Sequence, residues 1–364
     1  MSMNAQSTLL PRSTGGFAPV TLWAAIGATL VVLSIYLFGS WVFGPNFKSV
    51  PILGPDVPPA WMFVVARIIE TSTIVLFAVA MYGYVIKPWR RDGEISSDGL
   101  MVLALITLYW QNAAINWFAP TGLLSPVFTN FGSWYGNIPG WVSPNAQYIP
   151  EAPIAWGLSY ACWFVFFPML AGARVMRWIQ ARRPDWNSAR LFLAVYIGFM
   201  LLDLVLEGFF LRTGMYVYAG AVQSLTLWAG EYYQFPIYEF LLWGFCWAVY
   251  ASIYFWRDDH GLTFAERGVE KLNLSRAGKK FVRFLALAGV FNMVFFIGDT
   301  VPVAFGGLHS DPFPKNIPSY LLGKVCGPNA DYDCTRPELP LATKTSRTNR
   351  VTIPAEVAGP ATNH

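Results

Sequence analysis

Seven runs of this chain stay apolar for longer than a globular core needs, at about 20–43, 61–86, 99–118, 154–178, 190–212, 234–256 and 281–305. A bilayer's hydrocarbon core takes roughly 17–25 apolar helical residues to cross. No water reaches a backbone N–H or C=O there, so such runs are confined to helices. The predicted fold class is therefore an all-α integral membrane protein, a bundle of about seven transmembrane helices. Composition agrees, because only 13% of the residues are charged, about half of what a soluble domain carries. The first run follows polar and small residues without a basic n-region or a cleavage site. It reads as a retained helix and not a removed signal peptide.

Orientation follows from where Lys and Arg fall in the short loops. Lys87, Arg90 and Arg91 follow the second run. Arg174 and Arg177 lie at the end of the fourth, and Arg182 and Arg183 follow it. Arg257, Arg267, Lys271, Arg276, Lys279 and Lys280 follow the sixth, whereas 119–153 and 213–233 contain neither residue type. This alternation predicts a cytoplasmic N-terminus, an external C-terminus and a multi-pass protein of the plasma (inner) membrane. The net charge of +4 is spread over short loops and is no footprint for nucleic acid.

The expected organisation is a cytoplasmic segment 1–19, a membrane domain 20–305, an outer segment 306–334 and a polar, disordered tail 335–364. Residues 44–60 are rich in Pro and Gly and predict a stiff, non-helical connector. The stretch 119–153 is rich in aromatics, as in FTNFGSWYGNIPGW. It reads either as a lid over a cavity or as an interfacial anchor. Cys326 and Cys334 bracket CGPNADYDC on the outer side, where disulfides persist, and are expected to pair. Cys162 and Cys246 fall within spans and are expected to pack as small apolar groups.

The apolar runs also carry groups that hydrocarbon does not tolerate alone: Glu70, Asp203, Glu207, Glu239 and Asp299, with Asn112 and Asn116. Each needs a partner, a cavity or a proton. Residue spacing places nearly all of them in the outer half of the bilayer. Asn112/Asn116 and Asp203/Glu207 are i,i+4 pairs and Asn292/Asp299 an i,i+7 pair, so each shares one helix face. One acidic pocket is the expectation. Arg67 is the obvious intramembrane cation and can pair locally with Glu70, which leaves acids in excess, so the site is expected to hold a proton. Glu207 or Asp203 is the candidate proton donor, with Glu239 and Glu70 as charged stabilisers. Asn112, Asn116, Tyr233, Asp299 and Arg67 are candidate substrate contacts. A single membrane carboxyl is often only a helix–helix hydrogen bond. Five at similar depth weigh against that reading for the set.

Other chemistries find little support. His260, His309 and His364 lie in loops or the tail without metal-ligand spacing, so no metal site is predicted. No phosphate-cradling Gly loop follows a strand. The last apolar run has no lysine for a retinal Schiff base.

Several stretches resemble the AveC-like spirocyclase family of actinobacterial multi-pass membrane proteins. They are GPNFKSVPILGPDVPPAWM at 44–62, TLYWQN at 107–112, NFGSWYGNIPGWVSPN at 130–145, DLVLEGFFLRTGMYVYAGA at 203–221, EYYQFPIYEFLLWG at 231–244 and FAERGVEKL at 264–272. The resemblance implies spiroketal chemistry in polyketide maturation: a dihydroxy-ketone closes into two rings with loss of water, sometimes with further dehydration. It implies no redox cofactor or metal, and supplies no catalytic residues. The partners this implies are a lipophilic small molecule and membrane lipids, with no nucleic acid. Two rival readings stay open: a non-catalytic lipid- or sterol-binding or transport protein, and an accessory subunit of a membrane complex.

Overall fold

The computed structural model describes residues 18–327, 329, 330 and 334. The expected tail 335–364 and all but the last two residues of the segment 1–19 lie outside the described residues. Among the described residues, seven helical stretches are long and apolar enough to cross a membrane. Five are nearly continuous: α1 (Pro19–Val42), α2 (Ala60–Asp92), α5 (Ser188–Arg212), α6 (Ile237–Phe255) and α7 (Arg276–Gly307). The third stretch is α-helical only over α3 (Ser97–Ile106) and tightens into a 3₁₀ segment, Tyr109–Asn116. The fourth opens with a widened turn at Pro153–Gly157 and settles into α4 (Phe166–Arg182) after irregular backbone.

These departures have local causes. A proline cannot donate to the carbonyl four residues back, and its ring crowds that carbonyl. Wide turns at Met81–Ile86 and Phe296–Thr300 precede Pro88 and Pro302 and absorb that conflict. Three helices start with a side-chain cap: Ser96 accepts from Gly99 N–H, Asn187 from Arg190 N–H and Ser275 from Gly278 N–H. α1 and α7 cross at small residues. A Cβ on Gly27 would stand 1.8 Å from the Leu285 carbonyl oxygen, and one on Gly289 2.2 Å from that of Trp23, the close approach that glycine permits between membrane helices.

The two ends of the bundle differ. At the basic end, ion pairs tie the loops to the helices. Arg283 reaches the fully buried Glu266 at 2.7 Å, Arg257 meets Asp98 at 2.9 Å, and Arg276 and Lys280 both grip Glu94. At the other end two short antiparallel ribbons form. β1 (Gly122–Leu124) pairs with β2 (Tyr216–Tyr218) in the register Gly122↔Tyr218, and β3 (Thr226–Leu227) pairs with β4 (Phe235–Pro236). The connector 44–59 is non-helical.

The aromatic stretch 119–153, called the lid below, packs onto the bundle. Trp134 is completely buried, its indole N–H donates to the Trp110 carbonyl at 3.0 Å, and Phe38, Trp41 and Tyr109 pack edge-on around it. Membrane-surface anchors would instead stay exposed. Cys326 and Cys334 are disulfide-bonded, with Cα atoms 4.9 Å apart. Asn145 of the lid donates to the Lys324 carbonyl at 3.0 Å, which holds the lid against this outer segment.

Candidate functional site

The buried stripe of α5 runs Leu191, Val195, Phe199, Asp203, Glu207, Leu211, one residue every four. That period faces a single direction on a helix, so the two acids replace apolar residues on the side turned to the bundle. Glu239 sits in the first turn of α6, and Asp299 in the wide turn of α7. All four acids line one cavity, which holds about 890 Å³ of empty space counting its mouth. Asn112 and Asn116 reach it from the 3₁₀ segment, Tyr216 and Tyr218 from β2, Leu123 and Leu124 from β1, and Tyr135 and Glu151 from the lid. Trp156, Trp163, Phe164, Phe210, Trp243 and Phe295 form its aromatic walls.

Polar contacts divide the lining. Tyr216 and Tyr218 stand two residues apart on a strand and so share a face. Both donate their hydroxyls to Glu207 Oε1, Tyr218 at 2.5 Å. Burial and the neighbouring Glu207 push the Tyr218 phenol well above its ordinary range, which keeps it a donor. At the lid, Glu151 is fully buried. It accepts from Tyr109 OH at 2.7 Å, from Asn112 Nδ2 at 2.9 and 3.0 Å, and from Tyr135 OH. Burial raises Glu151 above the usual carboxylate range, and the bonds from Tyr135, Tyr109 and Asn112 oppose that rise. By contrast Asp203 Oδ2, Glu207 Oε2, Glu239 Oε1 and Asp299 Oδ1 are buried without a hydrogen-bond partner among the described residues. Among the described residues the lining contains five carboxyls and no Lys, Arg or His. Unpaired charge in such surroundings is strongly disfavoured. The cavity is therefore built to hold protons or to face a positively charged guest.

Six of the nine expected site residues meet here: Asp203, Glu207, Glu239, Asp299, Asn112 and Asn116. Glu70, Arg67 and Tyr233 do not line the cavity. Glu70 accepts from Thr129 N–H at 2.6 Å and from its hydroxyl at 3.2 Å, while Arg67 pairs with Glu70 at 3.2 Å and donates to the Val127 carbonyl at 2.6 Å. Together they clamp the lid to α2. Tyr233 lies under the Arg212 guanidinium, 3.8 Å from its carbon to the ring centre. Two expected face-sharing pairs fall on irregular helix: the first keeps both members on the cavity with different partners, and the second separates. In the 3₁₀ segment the two asparagines diverge: Asn112 bonds Glu151, while Asn116 caps the turn into β1 through Thr121 N–H, Gly122 N–H and the Gly122 carbonyl. Asn292 precedes the wide turn and stays in a buried knot with Trp110, Gln111 and Thr107, off the cavity that Asp299 lines.

Three contributors went unread in the sequence. Glu151 stands just before the fourth apolar run, in a stretch free of Lys and Arg, so a search for acids inside the runs passes it by. Tyr216 and Tyr218 alternate in MYVYA, a two-residue period embedded among helical ones.

The family model described as Spirocyclase AveC-like matches residues 89–320. No curated protein and no solved structure matches the chain. The matched region leaves out α1 and most of α2, with the Glu70–Arg67 clamp, yet includes every residue that lines the cavity. Because it covers well over half of the 364 residues, the chain belongs to the AveC-like spirocyclase family.

Proposed function

We propose that the cavity catalyses acid-promoted ring closure with loss of water: spiroketal formation on a lipophilic, polyketide-like dihydroxy-ketone, or dehydration of such a substrate. The observation that carries this reading is that Asp203, Glu207, Glu239 and Asp299, each with one carboxyl oxygen that has no hydrogen-bond partner among the described residues, line one aromatic-walled cavity whose described lining contains no basic residue.

The chemistry follows from the contacts. One substrate hydroxyl adds to the ketone carbon and gives a hemiketal. Asp203 or Glu239, carrying a proton, passes it to the hemiketal hydroxyl, which leaves as water. The carbon becomes an oxocarbenium ion, as in glycoside cleavage. Glu207, whose Oε1 is committed as acceptor to two phenols, and Asp299 face that positive charge. The second hydroxyl attacks the same carbon, and its proton returns to the donor carboxylate. In all, two C–O bonds form, both bonds of the ketone C=O break, its oxygen leaves as water with the two hydroxyl protons, and the acid is restored. For dehydration the same donor protonates a hydroxyl, and a neighbouring carboxylate takes the adjacent C–H proton. The aromatic walls suit both the apolar substrate and its cationic intermediate.

Replacing the acids by their amides tests this in purified protein supplied with a synthetic dihydroxy-ketone. Whichever of Asp203→Asn and Glu239→Gln removes the donor should slow ring closure by about 10²–10⁴-fold, the usual contribution of general acid catalysis. Full turnover in Asp203→Asn, Glu207→Gln, Glu239→Gln and Asp299→Asn alike would sink the mechanism. Substrate bound but never converted by the wild type would turn the reading toward a lipid-binding protein.

A further inference from the structure

The cavity has two possible approaches, and their surfaces differ. Toward the loop end it is roofed. Gly122 and Leu123 of β1, Tyr218 of β2, and Tyr135 and Glu151 of the lid are all buried, and the roof is stitched by the β1–β2 ladder, the Asn116 cap and the bonds into Glu151. Toward the side of the bundle it is not. Among the lining residues, Leu206 alone is exposed, at 40%. It belongs to the face of α5 on which Leu202, Val205 and Phe209 are exposed at 42, 70 and 58%. An apolar helix face of that kind within a span is the surface that meets lipid.

The element whose residues line the cavity beside α5 is itself broken. Between Pro153–Gly157 and α4 the backbone is irregular, and Cys162 at φ −141°, ψ −102° is far from helical. At membrane depth such backbone is tolerated where it is buried in protein or lines a cavity. Trp163 and Phe164, on this break, are partly exposed lining residues, as are Phe210 of α5 and Tyr216 of β2. The mouth is thus rimmed by apolar and aromatic side chains and carries no formal charge.

From this arrangement we infer that the cavity is entered sideways from the bilayer, between α5 and the broken fourth span, with Leu206 at the threshold. The substrate class is accordingly an uncharged molecule dissolved in the membrane, and it reaches the carboxyls without crossing the roof. The inference deepens the proposed function by naming the route and the class of its substrate. Its test reads access alone, so it can fail while the acid chemistry stands, and the reverse.

Carbodiimides modify buried carboxyls and come in membrane-soluble and water-soluble forms. Protein in lipid nanodiscs is treated with dicyclohexylcarbodiimide or with a water-soluble carbodiimide, and labelling of Asp203, Glu207, Glu239 and Asp299 is followed by peptide mass. The membrane-soluble reagent should label this set severalfold faster. Leu206→Trp should slow that labelling severalfold and Leu206→Ala should hasten it. Val205→Trp, one residue away on the lipid-facing surface and off the lining, should leave it unchanged, which separates a blocked mouth from a disturbed fold. Equal or faster labelling by the water-soluble reagent would overturn the inference. So would the absence of labelling by either reagent, or rates indifferent to the size of residue 206.

Discussion

Glu151 shows how much one residue's surroundings matter. It is completely buried at the lid, yet both of its oxygens accept hydrogen bonds. Burial dominates and raises it above an ordinary glutamate. The folded protein therefore favours its neutral form more than the unfolded chain does. Its contribution to stability is complete below the ordinary glutamate pKa of about 4.3 and is lost as pH rises through the raised value. Tm should accordingly fall with rising pH in that window, and Glu151→Gln should flatten this part of the profile. A thermal-shift series over pH on the two proteins checks it, and parallel curves would contradict the assignment. Glu207 poses the opposite case: its two phenol donors come from a strand, and only its partner-free Oε2 is left for chemistry.

At the scale of elements, the wide turns and the 3₁₀ segment place the site. The wide turn of α7 sends Asn292 into the core and Asp299 into the cavity. The break in the fourth span gives the cavity its side wall. The α1–α7 crossing shows how little space the scaffold leaves around these features. A side chain at Gly289 would press on the Trp23 backbone oxygen, which cannot move without shifting α1. Gly289→Val should destabilise by at least about 1–3 kcal/mol through overpacking. The readout is the detergent-solubilised Tm and the yield of folded protein, with Gly39→Val, where an added Cβ meets nothing within 4 Å, as the tolerated comparison.

At the scale of the molecule, the bundle is polarised. Ion pairs around Glu94, Asp98 and Glu266 knit the basic end, and the other end carries the lid, both ribbons and the disulfide. If the basic loops follow the positive-inside rule, a reporter inserted near His260 faces the cytoplasm and one near Gly140 faces outward. Paired cytoplasm-active and export-active reporter fusions at those two positions test it, and the inverse pattern would refute the orientation. The polarity also puts the roofed end of the cavity on the far side from the basic loops. The acids then lie nearest the lid.

The number of spans, the asymmetry of charge and the pairing of Asp203 with Glu207 could all be read along the chain. They rest on local physics: hydrocarbon forces the backbone into helices, and a four-residue spacing on a regular helix has one direction. Glu70, Arg67 and Tyr233 show where that reasoning ends. Depth in the membrane placed them beside the other polar groups, but depth says nothing about azimuth. Only the packed bundle turned Glu70 toward Thr129 and Tyr233 toward Arg212. The same holds for Glu151, Tyr216 and Tyr218, which enter the site from a lid and a ribbon. Their positions depend on contacts between residues far apart in sequence, such as Leu124 with Tyr216 across the ladder. The acids were visible as anomalies in apolar runs. Which of them share one cavity was settled by the tertiary fold, because irregular turns rotate helix faces in ways that a regular period cannot anticipate.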